Sequence, residues 1–436
     1  MSQEMGVGLL RRHRDFRLLW CGETAGKFGA SVTAVAMPLI AVSTLHASTL
    51  EVGVLSASAW LPWLVIGLPV GAWVDRMRRR PVMLAAAAVS FLLFLVIPVA
   101  ARTGHLNVGL LVVIALLTGT AAVFFQTAYS AYLPSILAPE DQPEGNAKLH
   151  GSASAAQIAG LGSAGLIGQV AGAVNAMFAN AATFLFSLLC LASIRDREPR
   201  RERTTAHSKA LLSEVGEGLR LVAGDPWLRT LTLFGAASNL ALMGYQSIQV
   251  VFLVHTVDLA PGAVGGLIAA ASTGGVVGAL TTRRIAGRIG TARAMLLFEL
   301  GLAIFALLIP ATSAGAGLLL FATGGFCVSA GVVAGNVIKA SFQQRYCPPE
   351  LLGRLTASAA FLNYGTIPLG ALLGGWLGTV FDLRTAMWIT TAGVPVAALI
   401  LVFSPIGRSR DLPTAPRPRN DPGYVHPHSE PSPRSH

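Results

Sequence analysis

Charge is what this chain has least of. Of its 436 residues only 12% are charged, while 53% are hydrophobic; a soluble domain carries about 25% charged residues. So thin a charged shell cannot solvate an ordinary globular surface, which excludes a soluble enzyme and a soluble nucleic-acid binder. Cysteine is scarce too: Cys21, Cys190, Cys327 and Cys347 stand singly in or beside apolar stretches. Without disulfide or metal spacing they exclude a secreted disulfide scaffold and read as small apolar fillers. No phosphate-cradling loop, nucleophilic triad or metal-ligand cluster occurs, so neither ATP-driven transport nor membrane enzymology is expected, and no cofactor or metal.

What the chain does have is long uncharged runs. They cover 28–50, 52–74, 81–101, 103–139, 149–194, 230–257, 259–282, 300–338, 355–381 and 385–407. Each can cross a bilayer core of about 30 Å, which takes about 20 helical residues, and several can cross twice. Divided at turn and charge signals, they predict an all-α membrane protein of twelve transmembrane helices. The expected spans are 18–44, 51–74, 81–101, 107–132, 147–171, 174–194, 228–254, 261–282, 294–311, 316–339, 355–378 and 384–404.

The net charge of +11 would suggest nucleic acid if it were spread out, and its position says otherwise. With the N-terminus in the cytoplasm, the inside segments are 1–17, 75–80, 133–148, 195–229, 283–293, 339–354 and 405–436. They hold 29 of the 32 basic residues; Arg102 and Arg384 fall outside, and Lys27 falls within a span. That asymmetry places both termini in the cytoplasm of a cell with this protein in its inner membrane. It also favours contact with anionic lipid, not nucleic acid. Arg11, Arg12, Arg14 and Arg17 precede the first apolar stretch without a small-residue cleavage site and read as its cytoplasmic flank.

The expected organisation is a cytoplasmic N-terminus (1–17), a six-helix half (18–194), a cytoplasmic linker (195–227), a second six-helix half (228–404) and a tail (405–436). In the linker, Leu211, Leu212, Val215, Leu219 and Val222 recur at helical spacing, which predicts an amphipathic helix along the membrane surface. The tail holds eight prolines among Ser, Arg and His, a composition that cannot bury a core. The halves repeat: Gly71 to Asp75, Arg76 and Arg79 is echoed by Gly278 to Thr282, Arg283 and Arg284. The fifth span (Gly160, Gly162, Gly165, Gly168, Gly172) and the eleventh (Gly365, Gly370, Gly374, Gly375, Gly378) are both glycine-spaced. Small residues about four apart let membrane helices approach closely. Two parallel six-helix repeats make the architecture in which secondary transporters rock one half against the other.

The run Gly71-x-x-x-Asp75-Arg76-x-x-Arg79-Arg80 resembles the cytoplasmic signature of the major facilitator superfamily. Asp15-Phe16-Arg17-Leu18-Leu19-Trp20, Pro38-Leu39, Leu61-Pro62, Tyr132-Leu133-Pro134 and Glu217-Gly218-Leu219-Arg220 resemble its branch of macrolide-efflux and enterobactin-exporter proteins. The resemblance covers about residues 11–405 and implies a major facilitator fold and a gate role for Gly71, Asp75, Arg76, Arg79 and Arg80. The alternative is that the arginines are only a topogenic cluster. The chain departs from the family where relatives carry coupling charges: the first helix reads Gly29-Ala30, the third has no charge from Ala85 to Leu95, and the fourth shows Thr118-Gly119-Thr120. In the fifth, Gly160-Leu161-Gly162 replaces the usual Gly-Pro.

Charges at membrane depth cost about 2.5–3.5 kcal/mol and default to functional hypotheses. Glu23, Lys27 and Glu299 qualify. Glu23 and Lys27 are four apart on one helix face, and Lys27, about 13–15 Å in, must face the bundle interior or a water-filled cavity. They are the candidates for proton coupling, or else a brace for the first helix. Glu299 is expected to pair with Arg288 or Arg293. Polar residues at helical spacing are candidate substrate contacts: Gln126 and Tyr129, Gln157 with His150 and Ser154, Asn239 with Gln246 and Gln249, then Asn336 and Asn363. The resemblance lines the central cavity with helices 1, 4, 5, 7, 8, 10 and 11.

The expectation is therefore a monomeric exporter of a small amphiphilic drug or metabolite, working by alternating access against proton entry. Its partners are a small-molecule substrate, protons and membrane lipid. Uptake by symport or facilitated diffusion, and a membrane sensor that moves nothing, remain the alternatives.

Overall fold

The computed structural model describes residues 9–195, 220–347 and 349–414. Leu211, Leu212, Val215 and Leu219 of the expected amphipathic helix lie outside them, as does most of the tail. Among the described residues twelve helices alternate in direction: α1 Arg14–Thr44, α2 Thr49–Val65 continued by Gly67–Asp75, α3 Arg79–Arg102, α4 Val108–Ile136, α5 Gln142–Ala171 and α6 Ala173–Ala192 form one half. The other is α7 Pro226–Thr256, α8 Pro261–Ile289, α9 Thr291–Leu308, α10 Gly315–Tyr346, α11 Pro349–Val380 and α12 Leu383–Val402. An even number of crossings returns the chain to the face on which it began. That face carries Arg76, Arg78, Arg283, Arg284, Arg288 and Arg345, and is called the basic face below.

Several helices run past the expected limits, and the longest extensions are on the basic face. α1 begins at Arg14, α4 continues to Ile136, α8 to Ile289 and α10 to Tyr346. Charge marks where the hydrocarbon ends, not where backbone hydrogen bonding ends, so arginines ride on the last helical turns. The correction matters at Lys339. Its expected place was the inside segment 339–354, and the structure places it inside α10, two turns short of the helix end.

Among the described residues nine helices are long and apolar enough to cross a membrane; α2, α5 and α11 are the others. α2 and α5 each pack closely against a helix of the other half. A Cβ on Gly53 of α2 would lie 2.8 Å from the Ala371 carbonyl and from Gly375 of α11, and Cβ atoms on Gly165 of α5 and Gly265 of α8 would each lie 2.6 Å from the other's backbone. These two glycine contacts join the halves where α2 and α8 begin, on the face opposite the basic one. α11 also presses on α7: a Cβ on Gly370 or Gly374 would overlap the carbonyls of Leu240 and Gly244, just as one on Gly160 of α5 would strike Phe28 of α1 at 2.6 Å. Small side chains are thus the condition for both seams.

The pseudo-repeat extends to details that composition does not show. α1 and α7 both end in a five-residue wide turn, Ile40–Thr44 and Phe252–Thr256. The closing bonds are also alike, Leu45 N–H to Ile40 O at 3.1 Å and Val257 N–H to Phe252 O at 3.1 Å. A left-handed residue follows each, His46 (φ 52°) and Asp258 (φ 59°).

Buried apolar residues gather in three groups. One spans both halves on the face opposite the basic one and includes Val35, Ile40, Leu111, Ile248, Phe252 and Val264. The basic face has two separate groups, one per half: Phe16, Val74, Met83 and Tyr132 in the first, Trp227, Met295, Ile338 and Leu401 in the second. The halves therefore share one apolar core on one side and keep separate cores on the other, with a central cavity between them.

Candidate functional site: a central cavity with a charged pair

The cavity measures about 820 Å³ and is lined by α1, α2, α3, α4, α5, α6, α7, α8 and α10, with Ile309 just after α9. Cavities of about 300–1,000 Å³ suit drug-sized molecules. Its wall is apolar and aromatic over most of its extent, with Trp60, Trp63, Phe94, Phe125, Phe184 and Phe321. Trp60 and Trp63 lie one turn apart on α2, and both rings meet Tyr364 of α11, at centroid distances of 6.3 and 5.3 Å. This aromatic contact bridges the halves beside the cavity.

Against that wall stand two charges. Glu23 and Lys27 both line the cavity, with Lys27 Nζ 3.4 Å from Glu23 Oε1. Their exposure differs: Glu23 is 7% exposed and Lys27 43%. The carboxylate is therefore embedded in the α1 packing, while the ammonium reaches the cavity. Lys27 Nζ also donates to Gln126 Oε1 of α4 at 3.4 Å, and Tyr129, one turn along α4, lies within electrostatic range of Glu23. Around the pair, Thr24 Oγ1 lies 2.9 Å from Ser152 Oγ of α5, and Asn180 of α6 donates to Thr33 Oγ1 at 2.7 Å. α1 is thereby tied through polar groups to α4, α5 and α6.

Four of the ten expected contact residues line the cavity, and His150 and Ser154 are exposed residues outside the lining. Gln126, Gln157, Gln246 and Gln249 line the cavity. Tyr129 instead stacks on Phe125, with ring planes 11° apart. Asn239 and Asn363 face each other between α7 and α11, Asn239 Nδ2 donating to the Asn363 carbonyl at 3.1 Å. Asn336 is an exposed residue one turn beyond the lining residues Val332 and Val333. Helical spacing identifies residues that share a face without saying what that face meets. Trp60, Trp63 and Thr33 are lining residues that the sequence did not single out; the two tryptophans three apart inside a span were the available signal.

Glu299 corrects its expected pairing. The charge facing it is Lys339 of α10, not Arg288 or Arg293. The two arginines lie on the turns that end α8 and begin α9, while the Glu299 side chain is directed inward, onto Gly335 of α10.

The signature between α2 and α3 lies on the basic face, away from the cavity. Gly71 has open space where a Cβ would point, and Asp75 closes the helix Gly67–Asp75. Arg76 is exposed. Arg79 donates to the Ala131 carbonyl of α4 at 2.6 Å, and Arg80 to the carbonyls of Leu191 and Ala192 of α6 at 3.2 and 2.7 Å. These bonds stay within the first half and place guanidinium charge where carbonyls at helix ends collect partial negative charge.

The Major Facilitator Superfamily model matches residues 19–366. The chain is 28% identical over 411 residues to the multidrug efflux pump Tap of Mycolicibacterium fortuitum, a match covering 92% of this chain and 97% of that one. Among solved structures, a mutant of the nucleoside transporter NupG superposes with a TM-score of 0.75 at 12% identity over 89% of this chain and 99% of that one. A bacterial homologue of the iron transporter ferroportin in its inward-facing state gives 0.70 at 16% identity over 91% and 99%. The structures carry the fold alone, and the family match covers most of the chain. Twelve helices in two repeats, glycine seams on one face and a drug-sized cavity between the halves are the attributes of a transporter, and the chain belongs to the Major Facilitator Superfamily.

Proposed function

We propose that this protein exports a small amphiphilic drug or metabolite across the cytoplasmic membrane by alternating access, in exchange for protons. The basic face is the cytoplasmic one, with both termini there, because basic residues crowd its loops and nearly vanish from the other side. The cavity then stands accessible from the cytoplasm and is sealed outward by the α2–α11 and α5–α8 glycine contacts. Its aromatic wall suits an amphiphile, and its relatives include proteins named as multidrug efflux pumps.

The observation that carries the reading is the Glu23–Lys27 pair on the wall of that cavity. A carboxylate so placed binds a proton when its lysine is drawn away and releases it when the pair re-forms. A cationic substrate and a proton compete for Glu23, which is the elementary requirement of antiport. Gly71, Asp75, Arg76, Arg79 and Arg80 serve as the cytoplasmic gate. Their contacts with the other half form in the outward-open state and bias the equilibrium between the two states, each exposed charge at a helix end contributing about 0.3–1 kcal/mol. Gln126, Gln157, Gln246 and Gln249 orient the substrate, lipid surrounds the bundle, and a single chain suffices because the cavity is complete within it.

Ethidium efflux from cells expressing the protein tests the reading. Wild-type cells should expel ethidium faster than control cells, and Glu23→Gln should slow expulsion about tenfold, equivalent to about 1.4 kcal/mol. Faster entry than in control cells would turn the reading to uptake, and unchanged efflux in Glu23→Gln would remove Glu23 from the coupling step.

A further inference from the structure

The second half holds a buried polar cluster that the cavity does not use. Glu299 of α9 is 9% exposed, and the charged group facing it is Lys339 of α10. A Cβ on Gly335, one turn before Lys339, would overlap the Glu299 carboxylate, so α10 has a glycine where the acid enters. On the far side of Lys339 is Asn363 of α11. Lys339 Nζ and Asn363 Oδ1 lie 3.1 and 2.5 Å from the position of a Cβ on Gly235 of α7, so both press on one point of that helix. Asn363 Oδ1 is buried without a hydrogen-bond partner among the described residues, while its backbone carbonyl is held by Asn239.

Two features make this more than a brace. First, Glu299 lies in the wide turn Leu297–Gly301, after which α9 tightens to three residues per turn over Ala303–Leu308. Wide turns inside helices concentrate at functional sites. Second, a buried oxygen acceptor without a donor beside a half-buried ammonium is a costly arrangement unless the ammonium sometimes uses it.

We propose that Glu299 and Lys339 form a second proton-responsive site, in which protonation of Glu299 frees Lys339 to donate to Asn363 Oδ1 and so couples proton binding to α11. The carboxylate gains one proton and becomes neutral; the ammonium keeps its charge, loses the electrostatic pull of Glu299 and turns to the Asn363 oxygen. Among the described residues no other charge acts on either member: α7 and α11 present the neutral Gly235 and Asn363, and α12 presents the apolar Ala398 and Leu401. α11 is the helix whose Gly375 seals the seam against Gly53 of α2, so a pull on Asn363 acts on the element that joins the halves. The two halves then hold the same trio of groups: Glu23, Lys27 and Gln126 in one, and Glu299, Lys339 and Asn363 in the other.

The proposal rests on the proton-coupled reading, and a distance measurement without substrate separates the two. Spin labels at Ser135→Cys on α4 and Gln344→Cys on α10, in a background with the four native cysteines replaced, report the opening between the halves on the basic face. In lipid nanodiscs the ratio of short to long distances should change about tenfold between about pH 5.5 and about pH 8.5. Glu299→Gln should remove this site's share of the change by fixing its low-pH form, and Asn363→Ala should remove the same share by fixing its high-pH form. The double variant Glu299→Gln/Lys339→Met, which leaves no unpaired charge, guards against misfolding and should be insensitive to pH through this site. Glu23→Gln should keep the part of the response that Glu299 governs. Variants at Glu299 and Asn363 that titrate like wild type, with the response lost only in Glu23→Gln, would overturn the second site and leave the cavity reading intact. A wild-type distribution that does not move with pH would overturn both.

Discussion

A lysine that reaches into the cavity while its carboxylate stays packed in α1 makes the two residues unequal. Breaking a buried pair by removing one partner costs about 3–5 kcal/mol in a dry site, and water at the 43%-exposed Lys27 lowers that figure. Lys27→Ala is therefore expected to destabilise the protein by about 1–3 kcal/mol. Adding Glu23→Gln to it should recover most of the loss, since it removes the stranded charge. Thermal unfolding in detergent checks both, and a double variant no more stable than Lys27→Ala would mean that the loss does not come from a stranded Glu23 carboxylate. The sequence showed this pair because its members are four apart on one helix. It did not show Glu299 with Lys339, which belong to different helices. Lys339 read as part of a basic flank because it is the first charge after the uncharged run 300–338, while the helix continues to Tyr346.

Elements depend on backbone approach as much as on side chains. Gly165 and Gly375 each occupy a seam where a Cβ has no room, with neighbours at 2.6 and 3.0 Å. Gly165→Leu or Gly375→Leu should force the halves apart on the non-basic face, moving populations toward the state open there while changing stability by about 1–3 kcal/mol. Spin labels on that face would report longer distances, and unchanged distances would mean that the seam is not closed by these contacts. The glycine spacing was legible in the sequence; which partner each glycine meets was not, because a repeat of small residues marks a close approach without naming the other helix.

Helix caps outside the membrane give α12 a pH dependence. The hydrogen bonds that Asp382 accepts from Thr385 hold its carboxyl below the usual carboxylate range. A depressed folded-state value gives stability that is present above the unfolded value near 3.8 and is lost as pH falls through the lower, folded one. Asp382→Ala should lower the melting temperature at neutral pH, and the difference should shrink in acid below about pH 4. A difference that persists unchanged in acid would contradict the cap assignment.

At the scale of the whole molecule, the span count and the gathering of basic residues on one face were readable because bilayer thickness and charge asymmetry act on composition directly. The cavity was only partly readable. Its glutamines were named, but Tyr129, Asn239, Asn336 and Asn363 fall outside it, since rotation of a helix about its axis is decided by packing and not by periodicity. The wide turns that end α1 and α7 were invisible for the same reason: they are backbone events between matched helices. What emerges is a bundle joined on one face by glycine seams, with separate cores on the other and a buried carboxylate and its lysine on the wall between.

Accumulation of ethidium in inside-out membrane vesicles with an imposed pH gradient tests the central claim most directly. An acid interior should drive accumulation, collapse of the gradient should abolish it, and Glu23→Gln should reduce the gradient-driven component by at least about tenfold. Accumulation that ignores the gradient and persists at the full rate in Glu23→Gln would contradict proton-coupled export through this cavity.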